Sequence, residues 1–241
     1  MDFIINRLKS NQSVKLGQLS EALEVSEDTI RRDIEGLAKS GLLTKVRGGA
    51  IPHSPNAHSF QERIHVSENE KGIIAQKALP LIKAGDTILL DGGTTTYALA
   101  GLLDMPLTVI TNNIPVAALL AGRKNIEVII TGGRILHDSQ VTAGAYAIRQ
   151  LEQLHVDIYF VGVCSLHHEI GLTSIDYFEC EVKRAMVGCS DRIVALTGHD
   201  KIGTSEAYKI CPIELLDTII TEINADSEIF EPYRQRSIQI L

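Results

Sequence analysis

Tryptophan is absent from the 241 residues, and aromatic residues of all kinds make up only 5%. The 44% of hydrophobic residues is therefore mostly aliphatic, and it is enough for a buried core. No apolar run reaches the roughly 18 residues that a membrane-spanning helix needs. The opening MDFIINRLKSNQ is broken by polar and charged residues before an apolar segment develops, so it does not read as a secretion signal. A cytoplasmic chain is expected. The four cysteines, Cys164, Cys180, Cys189 and Cys211, form no C-x-x-C and do not pair with histidine in a ligand spacing. Reduced, mostly buried thiols are expected, and no metal is implied. G-x-x-x-x-G-K-[ST] and G-x-G-x-x-G are both missing, so neither a nucleoside triphosphate nor a dinucleotide cofactor is indicated.

Positive charge is also scarce overall, with a formal net charge of −7. That balance is uneven. Residues 1–53 carry 8 Lys and Arg against 7 Asp and Glu, whereas residues 54–241 carry 15 against 23. The acidity belongs to the second part, and the first is free to meet phosphate with a local basic patch. The length suits a small domain followed by a medium one.

In the first part, Phe3, Ile4, Ile5 and Leu8 predict a helix ending near Asn11. Leu19, Ala22 and Leu23 predict a second short helix. After Glu24 and Val25, Ser26 suits an N-cap, with Glu27 and Asp28 in the first turn of a third helix. Ile30, Ile34 and Leu37 form its apolar stripe, Arg32 points away from that stripe, Thr29 and Arg31 flank it, and Gly41 is the expected end. Residues 42–47 then alternate like a strand, and Gly48-Gly49 turns it. Three helices and a basic hairpin describe a winged helix-turn-helix. Ser26, Thr29, Arg31 and Arg32 are its candidate DNA contacts, with Lys45 and Arg47 on the wing reaching phosphates. Solvated arginines on an ordinary amphipathic helix would explain the pair alone. They do not explain the short helix-turn-helix spacing and the basic hairpin together.

Residues 54–67 hold little apolar content and read as a connector, with an ordered patch at Phe60-Gln61-Glu62-Arg63. His53, His58 and His65 share no helical face and read as exposed histidines. From residue 68 to 241, helices alternate with short aliphatic strands: TILLD, LTVIT, IEVIIT, VDIYFVGV, RIVALT and DTIIT, with SIQIL as a possible edge strand. Helices are expected over 68–83, 95–103, 114–121, 144–153 and 177–188. Such strands form a parallel sheet covered on both faces, whose ligands sit beyond the carboxyl ends of the strands.

The residues at those ends are small or polar. Asp91, Gly92, Gly93, Thr94, Thr95 and Thr96 follow the first strand, Asn112 and Asn113 the second, Gly132 and Gly133 the third. In DGGTTT the glycines let backbone amides approach an anion, three hydroxyls add donors, and a helix starts nearby with its positive end at the same spot. A capped strand-to-helix turn is the plain alternative for DGGTTT alone. The several polar loops on one rim favour a phosphate cradle. Lys183 and Lys201 are candidates to add charge.

The segment LSEALEVSEDTIRRDIEGLAKSGLLTKVRGGA resembles the DNA-binding part of DeoR-type bacterial transcriptional regulators, above all in V-S-x-x-T-I-R-R-D and the closing R-G-G-A. EKGIIAQKALPLIKAGDTILLDGGTTTYALA, VITNN, TGG, GLTS and EVKRAM resemble the sensor domain of the same regulators. The resemblance covers nearly the whole chain. It implies a winged helix-turn-helix over residues 1–53 joined to a mostly parallel-sheet α/β domain of the ribose-phosphate isomerase and CoA-transferase type. It further implies that Asp91 through Thr96 hold phosphate, and that Asn112, Asn113, Gly132, Gly133 and Lys201 border a phosphorylated sugar. Relatives often carry Asp-x-Ser-Lys where this chain has Gly198-His199-Asp200-Lys201.

The expected function is a repressor of a sugar-metabolism operon, not an enzyme, with double-stranded operator DNA and a sugar phosphate as partners. A homodimer or higher homo-oligomer is expected, because half-site recognition needs two heads. The competing reading is a sugar-phosphate isomerase. It needs a base between adjacent carbons, and the loop Gly162-Val163-Cys164-Ser165 carries no carboxylate, which leaves Asp91 and Asp138 as candidates. His167-His168 just beyond reads as a mobile polar loop. A DNA-binding architectural protein with no ligand would leave the polar rim without a purpose.

Overall fold

The computed structural model describes residues 2–11, 13–40, 42–52 and 59–241. Gly41, His53 and His58 lie outside the described residues.

The amino-terminal part contains α1 (Asp2–Asn11), β1 (Val14–Lys15), α2 (Leu16–Leu23), α3 (Glu27–Lys39), β2 (Thr44–Val46) and β3 (Gly49–Ile51). Ile4, Leu8, Leu19, Ile30, Ile34, Leu37, Leu43 and Ala50 close a small core of their own. The three strands form an antiparallel sheet in the order β1-β3-β2. Two-residue β1 is too short to read from periodicity, but it explains Gly49. A Cβ there would lie 1.8 Å from the Val14 carbonyl oxygen, so only glycine lets the strands pair.

Among the described residues the connector holds one helix, α4 (Phe60–Ile64), started by a reciprocal capping box between Ser59 and Glu62. The larger part follows as α5 (Glu68–Ala78), β4 (Thr87–Leu90), α6 (Thr94–Leu102), β5 (Leu107–Thr111), α7 (Ile114–Leu120), β6 (Ile126–Ile130), β7 (Arg134–Leu136), β8 (Val141–Ala143), α8 (Ala145–Leu151), β9 (Val156–Gly162), β10 (Ser165–His167), β11 (Gly171–Ser174), α9 (Tyr177–Gly188), β12 (Ser190–Leu196), β13 (Tyr208–Cys211), β14 (Thr218–Ile220), α10 (Glu231–Arg234) and β15 (Gln239–Ile240). Leu79-Pro80-Leu81 closes α5 as a 3₁₀ turn, so this helix ends earlier than its apolar pattern predicts.

Seven strands form a wholly parallel sheet in the order β15-β14-β12-β9-β4-β5-β6. Side chains alternate between its two faces. Leu89, Tyr159, Val161, Ile193 and Ala195 join the core on one side, and Ile88, Leu90, Ile158, Phe160, Val194 and Leu196 join the core on the other. Both faces are covered, which is why these strands read as unbroken aliphatic runs.

From β4 the chain winds outward through β5 to β6, then returns to lay β9 on β4's other side. The carboxyl ends of β4 and β9 therefore flank a topological switch point, where an open parallel sheet leaves a crevice. Two smaller sheets, β7-β8 and β10-β11-β13, stand at this end. The expected mobile loop at His167-His168 is instead part of the β10-β11 hairpin, with His167 buried. The sequence there has no strand period because each strand is only three or four residues long.

Candidate functional site

The α2-α3 connection turns on Glu24, whose φ of 54° is left-handed, and Ser20 Oγ donates to the Val25 carbonyl to close it. Ser26 caps α3, its Oγ accepting from the Thr29 amide at 3.2 Å and lying 3.0 Å from the Thr29 hydroxyl. Burial of Ile30, Ile34 and Leu37 leaves Thr29, Arg31 and Arg32 exposed. Arg31 pairs with Asp28 at 2.9 Å. Arg32 has no ion-pair partner among the described residues. Lys45 on β2 pairs with Glu35 of α3, which ties the wing to the helix, and Arg47 beside it is exposed.

At the switch point lies a cavity of about 1060 Å³. Gly92, Gly93, Thr94 and Thr95 line one wall, and Gly162, Val163 and Cys164 line it from the end of β9. The walls meet closely. A Cβ on Gly162 would lie 2.9 Å from Asp91 Oδ1 and 3.2 Å from the Gly93 Cα, and one on Gly92 would lie 2.3 Å from a Val141 methyl. Gly93 is the N-cap of α6 and provides no side-chain cap, so the first-turn amides of α6 open beside the Thr94 and Thr95 hydroxyls.

Beneath this turn is a buried charge network. Asp91 accepts at Oδ1 from the Gly162 amide at 2.8 Å and at Oδ2 from the Tyr159 hydroxyl at 2.7 Å, and Lys183 Nζ lies 2.8 Å from Oδ2. Lys183 also donates to the Gly162 carbonyl at 2.8 Å and lies 3.5 Å from Glu179. Burial alone lowers the Lys183 pKa, but Asp91 and Glu179 more than offset it, and the ammonium is held above its ordinary value. Burial raises the Glu179 pKa, against the pull of Lys183. Burial, reinforced by Asp91, raises the Tyr159 phenol well above the usual value. The negative charge of Asp91 is thus met on the spot and does not repel an anion at the rim. On the far wall, burial lowers the Lys201 pKa.

Gly92, Gly93, Thr94, Thr95, Lys183 and Lys201 line the cavity; Asp91, Thr96, Asn112, Asn113, Gly132 and Gly133 are not among its lining residues. These six have local bonding duties. The Thr96 hydroxyl donates to the carbonyls of Asp91 and Gly93. Asn113 caps α7 and donates to the Asp91 carbonyl at 3.0 Å. Asn112 donates to the Thr142 carbonyl. The Gly132 amide donates to Gln150, and Gly133, at φ 129°, fits under the Ala143 carbonyl. Lining residues that the strand-end pattern did not point to come from α4 (Glu62, Arg63), the β7-β8 hairpin (Arg134 to Ser139) and α9 with its approach (Ser174, Asp176, Glu179). Asp176 caps α9, and that N-cap pattern ahead of EVKRAM was the available signal.

Among the described residues, the one trio close enough to share an ion is His167, His168 and Glu169. It suits a metal poorly. Burial, followed by the charge of His168, drops the His167 pKa to about 4, so the ring is neutral near pH 7. Its Nδ1 accepts from the Glu169 amide, which puts the proton on Nε2 and leaves no lone pair to donate. No helix among the described residues is long and apolar enough to cross a membrane.

Two family models match the chain: a DeoR-like helix-turn-helix domain over residues 1–55 and a DeoR C-terminal sensor domain over residues 66–223. The HTH-type transcriptional regulator GolR of Listeria innocua is 33% identical over 98% of this chain and 95% of its own length. The HTH-type transcriptional repressor GlcR of Bacillus subtilis is 33% identical over 91% and 86%. The glycerol-3-phosphate regulon repressor of Escherichia coli is 28% identical over 98% and 95%. Among solved structures, ribose 5-phosphate isomerase A from Neisseria gonorrhoeae aligns at TM-score 0.40 and 15% identity, over 63% of this chain and 56% of that one.

Proposed function

Because the chain belongs to the DeoR family of transcriptional regulators, we propose that it represses a sugar-metabolism operon and that a phosphorylated sugar, bound in the larger domain, sets its affinity for operator DNA. One observation carries the sensing part: the uncapped first turn of α6, with two glycines and two hydroxyls, opens onto a cavity of about 1060 Å³ at the switch point of the sheet. Backbone amides and a helix's positive end favour a phosphoryl group there, and the carboxylates Glu179 and Asp138 on the lining suit sugar hydroxyls. Relatives named as repressors, one of a glycerol-3-phosphate regulon, support the same reading.

On the DNA side, Arg32 is the principal base-reading residue of α3, flanked by Thr29 and Arg31. Ser26 orders the first turn, and Lys45 and Arg47 hold the wing to backbone phosphates. Two heads in a homodimer or larger assembly read two half-sites. Ligand and DNA favour different arrangements of those heads and oppose each other by the same coupling free energy, typically ~1–3 kcal/mol.

A thermal-shift panel tests the sensing part directly, run with glucose 6-phosphate, fructose 1-phosphate, ribose 5-phosphate and glycerol 3-phosphate beside their unphosphorylated counterparts. A shift for a phosphorylated compound, with no turnover in a parallel isomerase assay, is the expected result. Turnover would favour an isomerase instead, and no shift with any phosphorylated compound would remove the sensor assignment.

A further inference from the structure

The rim of the cavity is short of free positive charge. Lys183, the cation nearest the α6 turn in the network, is occupied by Asp91, Glu179 and the Gly162 carbonyl. Arg134 stacks over the Phe178 ring at 5.1 Å. Glu62, Asp138, Asp176 and Glu179 all lie on the lining. A phosphomonoester carries up to two negative charges near neutral pH, and backbone amides alone do not neutralise them. Two half-buried lining cations remain, Lys201 and Arg63, whereas Arg134 is exposed. Neither has an ion-pair partner among the described residues.

Arg63 stands out for a second reason. Its Nε is buried with no hydrogen-bond partner. A buried unmatched donor is costly and calls for a missing acceptor. The side chain is not left there by a loose backbone. Phe60, one turn earlier, is buried and meets Tyr97 of α6 edge-on at 5.9 Å. The Phe60 amide donates to the Asp138 carbonyl at 2.6 Å, and Lys71 Nζ donates to the Arg63 carbonyl. Helix α4 is therefore fastened to the β7-β8 hairpin, to α5 and to α6, and it holds Arg63 on the cavity lining. Arg63 acts electrostatically on Glu179, whose Oε1 would lie 3.7 Å from a Gly92 Cβ, and on Lys201 and Lys71. Burial, and after it Lys201 and Arg63, lower the Lys71 pKa to about 8.

We propose that Arg63 is a ligand-binding residue, its guanidinium joining Lys201 to grip the phosphoryl group seated on the α6 amides. This rests on the sugar-phosphate reading above. Guanidinium meets a phosphomonoester with two parallel N–H···O bonds, which an ammonium cannot do. The placement has a consequence for signalling. Arg63 lies on the connector to the DNA-binding part. Lys201 leads through Thr204, whose hydroxyl donates to the Lys201 carbonyl at 2.7 Å, to Ser205. The Ser205 amide donates to Pro52, and its carbonyl accepts from the Thr44 hydroxyl at the wing. An anion held by both cations thus bridges the connector and a segment that touches the head.

Isothermal titration of full-length wild type, Arg63→Gln and Arg63→Lys decides the matter, using glucose 6-phosphate, fructose 1-phosphate, ribose 5-phosphate and glycerol 3-phosphate with each unphosphorylated counterpart. For the phosphorylated compound that wild type binds best, Arg63→Gln should lose about 10- to 100-fold in affinity. Arg63→Lys should recover part of it, and any binding of the unphosphorylated counterpart should be unchanged. A merely structural role would weaken both compounds alike. Wild-type affinity in Arg63→Gln overturns the inference and leaves the α6 cradle standing. Failure of all four to bind wild type removes both. If Arg63→Gln does not fold, Arg63→Lys decides alone: at least a threefold loss is expected, and unchanged affinity overturns the inference.

Discussion

Lys183 shows how one residue is committed by its surroundings. It is 1% exposed, paired with a wholly buried Asp91, and bonded to the Gly162 carbonyl. Such a pair contributes little net stability when complete, because desolvation offsets attraction, but removing one partner strands the other charge. Lys183→Met should therefore cost about 3–5 kcal/mol in urea unfolding. The double variant Asp91→Asn with Lys183→Met should be less destabilised than the sum of the single variants; simple additivity would show that the two do not act as a pair. His167 gives a pH signature. Its folded pKa, about 4, lies below the ordinary 6.5, because burial and His168 disfavour the charged ring. Between those values the unfolded chain binds the extra proton. Stability from this group is thus full above about pH 6.5 and falls as the pH drops, by about 3 kcal/mol once pH 4 is reached. His167→Gln should show a smaller loss of urea midpoint than wild type between pH 7 and pH 4.5, and parallel curves would refute the buried neutral imidazole.

Helix α3 serves both stability and recognition. Its Ser26 cap satisfies a first-turn amide, and Ser26→Ala should cost about 1 kcal/mol of unfolding free energy, read from the thermal midpoint. Arg32→Ala should leave that midpoint nearly unchanged and abolish specific operator binding in a mobility-shift assay. Specific binding that survives would move the reading head elsewhere. This helix was legible because one stripe of Ile30, Ile34 and Leu37 fixes its buried side and hence its exposed one. The parallel strands were legible for the opposite reason, since burial on both faces leaves unbroken aliphatic runs such as LTVIT. The hairpins β7-β8 and β10-β11 were not, because three or four residues set no period, and β1 is shorter still. At the candidate site, small polar residues after a strand look alike in one dimension. Thr95 faces the cavity whereas Thr96 bonds to carbonyls of its own turn, and only the helix start at Thr94 separates them. Arg63 was hidden differently: a connector residue reaches a pocket only when the chain folds back.

At the scale of the whole molecule, the acidic net charge and the DNA-binding role are compatible because the acid is concentrated after residue 53. Operator affinity should still fall steeply with salt, since phosphate contacts release counterions. The larger domain meets the head at Ser205 against Pro52 and Thr44, beside the loop that bears Lys201. The lining residue Lys201 lies four residues before Ser205, and the lining residue Arg63 lies on the connector that leads to the head. The most direct test is isothermal titration of the best-binding sugar phosphate into wild type and Thr95→Asp, where the substitution sets a carboxylate at the first turn of α6. Wild type should bind the phosphorylated sugar far more tightly than its unphosphorylated counterpart, and Thr95→Asp should lose that preference while keeping its fold. Equal affinity in the two proteins would contradict a phosphoryl group held at that helix end.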